Sequence, residues 1–291
     1  MRLIPRDSAP KTPNAERVPP EGLCKLPVFR PVAVQLLSEL AREDTDVNKV
    51  KDLLNSDPAF SAEVLTLANS SLYARQSRIN TVHRAIVVLG LDRTRALAAT
   101  VALHGMVGGV QAKGAVADSW RHSRAAGVSA ERLAPFYSLQ PEQAYTAALM
   151  HDIGRLGMLS AYPEYPVLLA NTQGSTEDLL EEERQTLSVD HCEAGKWLTK
   201  LWGLPDEFGA TTANHHGPVT GTVGDRTDLV RLACLFAQAF GFKAAPLIDC
   251  PSPEALIKLI PEGVYPRSRF SLEELAERLQ RELEPEMVPG K

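Results

Sequence analysis

Met150-His151-Asp152-Ile153-Gly154-Arg155 is the stretch on which the reading of this chain turns. A neutral imidazole and a carboxylate side by side can both face one divalent cation. Gly154 reads as a helix terminator, which puts the pair in a last helical turn, where the dipole and unpaired carbonyls favour positive charge. His122 lies upstream and His191, His215 and His216 downstream, so five of the seven histidines join Asp152 in one set. The set reads first as a metal site.

Outward from this stretch the chain is punctuated for helices. Val32, Val34, Leu36, Leu37 and Leu40 open one, and Val47, Val50, Leu53 and Leu54 give another with the spacing of a single apolar face. Asp57 as N-cap and Pro58 at the first helical position start a third that runs to Asn69. Thr81 caps a helix that Gly90 ends, and Asp92 caps the next, through Val107. Further helices are predicted at 116–136, 141–161, 164–172, 176–187, 190–202, 205–214 and 227–241, with Pro, Gly, Ser or Thr at the breaks. A last one, at 271–284, opens with Ser271 as cap and Glu274 at the capping-box position. No segment alternates with period two for long enough to make a strand, so the fold class is all-α.

The 291 residues suffice for a substantial core. With 36 acidic against 31 basic residues the formal net charge is −5, which gives no global footprint for a nucleic acid. The longest uncharged stretches, Ala96–Ala112 and Phe208–Gly224, are rich in Gly and polar groups and make poor membrane spans. Charges and prolines stand where a signal peptide has its apolar core, which points to a cytoplasmic protein. Cys24, Cys192, Cys234 and Cys250 lack CxxC spacing and read as reduced thiols.

Leu26-Pro27, Leu54-Asn-Ser-Asp-Pro-Ala, Leu65-Thr-Leu-Ala-Asn-Ser-Ser-Leu-Tyr73 and Ala85-Ile-Val-Val-Leu-Gly-Leu-Asp92 together closely resemble the first half of the bacterial HDOD domain. Trp120-Arg-His-Ser, Met150-His-Asp-Ile-Gly-Arg-Leu-Gly157, Val189-Asp-His and Leu201-Trp-Gly-Leu-Pro205 resemble its second half. The resemblance implies an N-terminal helical subdomain, 24–112, followed by an HD-like helical bundle, 113–243. A Pro-rich arm, 1–23, precedes this HDOD domain, and a connector and helix, 244–291, follow it. It also implies kinship with HD-superfamily phosphohydrolases and a signalling or regulatory role.

By the same resemblance His122 matches the first ligand of the HD pattern and His151 with Asp152 the doublet. His191, His215 and His216 match the extra ligands of bimetallic relatives such as HD-GYP phosphodiesterases. The closing Asp falls at Cys234, and that loss marks the site as degenerate. A hard ion is poorly served by one carboxylate, so the cofactor is either none or a divalent metal, Zn, Fe or Mn. Cys234 lies in the apolar run Leu229-Val-Arg-Leu-Ala-Cys-Leu-Phe and reads as a packing thiol rather than a soft ligand.

Other residues have competing readings. Arg155 is either a fork for a phosphate or a helix-end cation paired with an acidic neighbour such as Glu164. His215 and His216 cannot share a direction on a regular helix, which leaves one for the surface. Asp178, Glu181, Glu182 and Glu183 read as a solvated face. Arg75, Arg78, Arg84, Arg93 and Arg95 make a basic window that reads as a solvated surface with scattered salt bridges before it reads as an anion site. The balance favours a non-catalytic regulatory protein that binds a protein partner or a nucleotide second messenger. The alternative is a metal-dependent phosphohydrolase or phosphodiesterase.

Overall fold

Prolines and caps set the helix starts in the first half of the computed structural model, which describes residues 20–26, 30–42, 44–69, 79–106, 113–263 and 265–283. After α1 (Glu21–Cys24), Pro31 opens α2 (Pro31–Leu40) at the position where a missing N–H costs nothing. Asp46 caps α3 (Val47–Asn55), and Asp57 with Pro58 starts α4 (Pro58–Ala68). Thr81 caps α5 (Val82–Leu89), and Gly90 at φ +82° ends it. α6 (Leu91–Met106) follows at once, so Asp92 sits in its first turn rather than at its cap. Arg75, Arg78, Tyr73 and residues 1–19 of the Pro-rich stretch lie outside the described residues.

The second half holds α7 (Ala115–Leu133), a 3-10 turn (Ala134–Tyr137), α8 (Pro141–Met150), α9 (Ile153–Ala161), α10 (Tyr165–Asn171), α11 (Thr176–Leu187) and α12 (His191–Leu201). α13 (Asp206–Asn214), α14 (Arg226–Ala239), α15 (Pro253–Ile257) and α16 (Leu272–Leu283) complete it. Among the described residues no strand forms, and one isolated bridge joins Gly174 to Ile248. The fold is all-α: a helical subdomain in front of an HD-like bundle. No described helix is long and apolar enough to cross a membrane, and no disulfide joins the four cysteines.

α7 packs mainly on α8 and α14, α9 on α12, and α12 on α13, while α6 lies on α8 and joins the halves. One continuous apolar core runs through both. At the joint, Arg95 on α6 is buried and pairs with Glu207 on α13, which also pairs with Arg226. Arg95 therefore belongs to the interior rather than to the solvated surface expected of the basic window, while Arg93, half-buried and paired with Glu142 at 3.0 Å, is one of the scattered salt bridges that reading included. α1 buries Leu23 and touches α9 and α12, which makes the end of the Pro-rich stretch part of the packed body. α16 docks on α7: Arg278 bridges Glu131 and Glu282. Ser271 caps Glu274 N–H at 3.1 Å, but the Glu274 carboxylate turns to Arg132, so half of the expected capping box forms.

The helix predicted over 141–161 is in fact two. His151 is the C-cap of α8, and Asp152, at φ −106° and ψ 24°, is the N-cap of α9. Gly154 does not terminate a helix; it lies inside α9 at the crossing with α12. A Cβ there would stand 1.9 Å from the His191 carbonyl oxygen and 2.4 Å from Gly195 N. Those obstacles are backbone and cannot rotate away. Gly154→Ala is therefore expected to cost about 3 kcal/mol in urea unfolding, at the upper end of overpacking penalties. Gly157→Ala, whose Cβ would meet the rotatable tip of Leu198, should cost less.

Candidate metal centre

The break between α8 and α9 turns His151 and Asp152 into one pocket, with His122 from the middle of α7, His191 from the start of α12 and Cys234 from α14. His215 and His216 follow the end of α13, where helical geometry no longer separates neighbours. Their rings lie 4.1 Å apart and both meet the His191 ring, at 5.3 and 5.0 Å. The expectation that one faces the surface is corrected for that reason: both belong to the cluster. Ring separations of 5.3 Å for His122–His151 and 4.8 Å for His151–His215 complete the chain of imidazoles. His83 is exposed, and His104 sits against Trp120 at 5.4 Å, so both stand apart from the set.

Four of the rings are held in the same way. His122 Nδ1 bonds the Phe242 carbonyl at 2.8 Å, His151 Nδ1 the Ala148 carbonyl, His215 Nδ1 the Thr212 carbonyl at 2.7 Å, and His191 Nδ1 the Glu183 carboxylate at 2.7 Å. An oxygen acceptor at Nδ1 assigns the proton to that atom and leaves Nε2 to face the pocket, which is the arrangement of a metal-binding imidazole. His151 Nε2, His215 Nε2 and Asp152 Oδ1 are buried without a hydrogen-bond partner. His151, Asp152 and His215 each place a ligand atom within 4.8 Å of the others, as do His122, His151 and Cys234, and likewise His191, Cys192, His215 and His216. A buried polar atom left unpaired is costly, and three that converge fit a cation between them.

Arg155 pairs with Asp152, not with Glu164. Its Nε donates to Asp152 Oδ2 at 2.6 Å, its Nη1 lies 3.7 Å from Glu183, and its Nη2 lies 3.0 Å from His191 Nε2. Glu183 is fully buried and also accepts from the His191 backbone N–H at 2.9 Å and from the Tyr165 hydroxyl. Reading Glu183 with the solvated acids of α11 is thus corrected. The signal was present: Leu179, Glu183 and Leu187 are spaced by four residues and share one face, and all three are buried. Cys192 was also missed, though as neighbour of His191 it enters the same cluster.

Burial sets the charge states. It pushes His122 down to about 4, with His151 adding to the effect, and holds His151, His215 and His216 below the usual imidazole range. Neutral imidazoles are the ligand form. Burial works against ionised Asp152 as well, but Arg155 and the surrounding imidazoles hold its carboxyl well below the usual range. For His191, burial and Arg155 oppose protonation, while Glu183 and Cys192 favour it and prevail, raising it to about 10. A cation would compete with that proton for Nε2.

The pocket is narrow. A cavity of about 20 Å³ is bounded by His122, Arg155 and His216 on one side and by Thr176, Leu179 and Ile248 on the other. The segment 242–249 lines one side of it. Phe242 is tied to His122, Asp249 N–H donates to the Gly174 carbonyl at 2.8 Å, and Lys243 Nζ donates to the Ile248 carbonyl at 3.0 Å. A donor set of imidazoles, one carboxylate and thiols suits Zn²⁺ or Fe²⁺ better than Mg²⁺.

The family model of the HDOD domain matches residues 26–218, more than half of the chain. A protein of uncharacterized activity from Treponema pallidum (strain Nichols) is 23% identical over 187 residues, 63% of this chain, and the match spans 36% of that relative's own length. An HDOD domain protein from Geobacter sulfurreducens, solved with its function unknown, superposes with a TM-score of 0.65 at 23% identity, covering 89% of this chain and 93% of its own. A Shewanella amazonensis SB2B protein provisionally named a phosphohydrolase gives 0.66 at 22% identity, covering 90% and 92%. A Marinobacter aquaeolei VT8 protein provisionally named for signal transduction gives 0.62 at 21% identity, covering 89% and 56%. The likeness to these structures is one of fold, and the family match supplies the name: the chain belongs to the HDOD family.

Proposed function

We propose that the protein is a signalling module whose HD-like half holds a divalent ion, Zn²⁺ or Fe²⁺, without turning over a phosphoester. The observation that carries this reading is the small size of the cavity. About 20 Å³ admits an ion or a single water, whereas pockets for small molecules run to roughly 300–1,000 Å³. Arg155, the guanidinium that lines the cavity, is committed to Asp152 and Glu183, and Cys234 stands where the resemblance places a carboxylate. A nucleotide has no room inside, so the partner in this reading is a protein bound at the surface. The signal-transduction name of the Marinobacter neighbour agrees with such a role.

The ion contributes stability and positions 242–249 through the His122–Phe242 bond. A ligand that binds only the folded state stabilises it by about 2.7 kcal/mol at a hundred times its dissociation constant. Protein purified without chelator is expected to carry Zn²⁺ or Fe²⁺ and to leave cyclic dinucleotides, nucleotides and a generic phosphodiester intact. Turnover that Asp152→Ala abolishes would establish the phosphohydrolase instead. The metal-induced rise in melting temperature should shrink or vanish in His151→Ala, and equal melting of metal-free and metal-treated native protein would remove the ion from the account.

Glu183 aims His191 and neutralises Arg155 from inside the core. Glu183→Ala leaves a buried guanidinium short of a partner and is expected to cost about 3–5 kcal/mol in chemical unfolding. In a metal competition assay it should also weaken binding about 10–100-fold, the usual effect of losing the group that orients a ligating imidazole.

A further inference from the structure

We propose that Cys234 is itself a metal ligand, so that its thiolate, with His122 Nε2 and His151 Nε2, forms a soft triad that selects Zn²⁺ over Mn²⁺ and Mg²⁺. The inference rests on the reading that this pocket holds an ion, and it reverses the packing role that the apolar run of α14 suggests. Cys234 is buried, yet its sulfur does not end among aliphatic side chains. It lies 3.4 Å from His122 Nε2 and accepts from Gln238 Nε2 at 3.4 Å. Tetrahedral zinc, with Zn–S of about 2.3 Å and Zn–N of about 2.0 Å, sets sulfur and nitrogen roughly 3.5 Å apart.

The independent observation is His151. Its ring is fully buried, its Nδ1 is spent on the Ala148 carbonyl, and its Nε2 has no partner. His151, His122 and Cys234 each place a ligand atom within 4.8 Å of the others. A packing cysteine needs no such company. Without the ion, the S–H and His122 Nε2 satisfy each other and His151 Nε2 is left over. With the ion, all three atoms have a partner, and Asp152 Oδ1, the unpaired carboxylate oxygen that shares a second triad with His151, is at hand for a fourth position. The Gln238 amide then stabilises the sulfur's negative charge.

The balance of the step is simple. The thiol releases one proton to solvent as sulfur donates its electron pair to the cation, and nothing is oxidised or reduced. Thiolate is a soft donor, and its presence in place of the expected carboxylate moves preference away from oxygen-seeking ions.

The test uses the full chain stripped with chelator and titrated with Co²⁺, a spectroscopic stand-in for Zn²⁺, while bound metal is counted by elemental analysis. A near-ultraviolet thiolate-to-cobalt charge-transfer band should rise with the bound ion. It should persist when Cys24, Cys192 and Cys250 are all serine, which leaves Cys234 as the sole thiol. It should be absent in Cys234→Asp, which should still bind an ion and shift relative affinity from Zn²⁺ toward Mn²⁺ by more than about tenfold. Bound cobalt without the band in native protein overturns the role of Cys234 and leaves the metal reading standing. Loss of the band in the triple-serine chain while cobalt remains bound assigns the sulfur elsewhere. Failure of the native chain to bind Co²⁺ or Zn²⁺ overturns both.

Discussion

A guanidinium in the interior of a protein must be neutralised where it lies, and Arg155 meets that demand with two carboxylates, Asp152 and Glu183. The rest of the pocket follows from how those carboxylates are divided. Asp152 gives Oδ2 to the arginine and keeps Oδ1 for the cavity, while Glu183 gives Oε1 to the arginine and Tyr165 and Oε2 to the ring and backbone of His191. One positive charge thus fixes the direction of a carboxylate ligand and of an imidazole ligand at once. It also holds α9, α10, α11 and α12 to one another, because the five side chains come from those helices and their caps.

The close α9–α12 crossing serves the same end. Gly154 and Gly195 bring two backbones together, so that His191 at the start of α12 reaches the Asp152 side of the pocket, with Nε2 3.7 Å from Oδ1. In sequence, Gly154 after a His-Asp pair looks like punctuation. In three dimensions it is a contact surface, and the helix break it seemed to mark falls two residues earlier, at the ligands themselves.

Most helix ends were legible because caps are local chemistry: Asp57-Pro58, Thr81, Gly90 and Asp190 do in space what their side chains or backbones favour in isolation. The six candidate ligands were legible because the family resemblance names their positions, and the structure brings them together with Cys234. Glu183 was not, since an acid among Asp178, Glu181 and Glu182 looks solvated until its partner, an arginine 28 positions earlier, is known to be buried beside it. The paired directions of His215 and His216 escaped for a similar reason. A regular helix would part them, but the predicted helix ends at Asn214, as α13 does, and which way two rings turn beyond a helix end depends on what packs around them. The wall that residues 242–249 give the pocket is least local of all, because they reach it through α14, the His122–Phe242 bond and a backbone pairing with Gly174.

That wall bears on the proposed signalling role. An enzyme needs the ion's open coordination position to face a substrate, and here the space next to the ligands is walled by α11 and by a strap that ends on α11's own leading loop. The strap is bonded to His122, the same residue whose other nitrogen faces Cys234. Whatever draws His122 Nε2 toward an ion therefore pulls, through Nδ1, on the Phe242 carbonyl. Occupancy of the pocket and the seating of its cover share one imidazole, and the cover leads on to α15 and to α16, which rests on α7, the helix that carries His122. In the proposed regulatory role, ion binding is thereby a statement about the C-terminal surface as much as about the interior, because the mechanical path between them is one ring long.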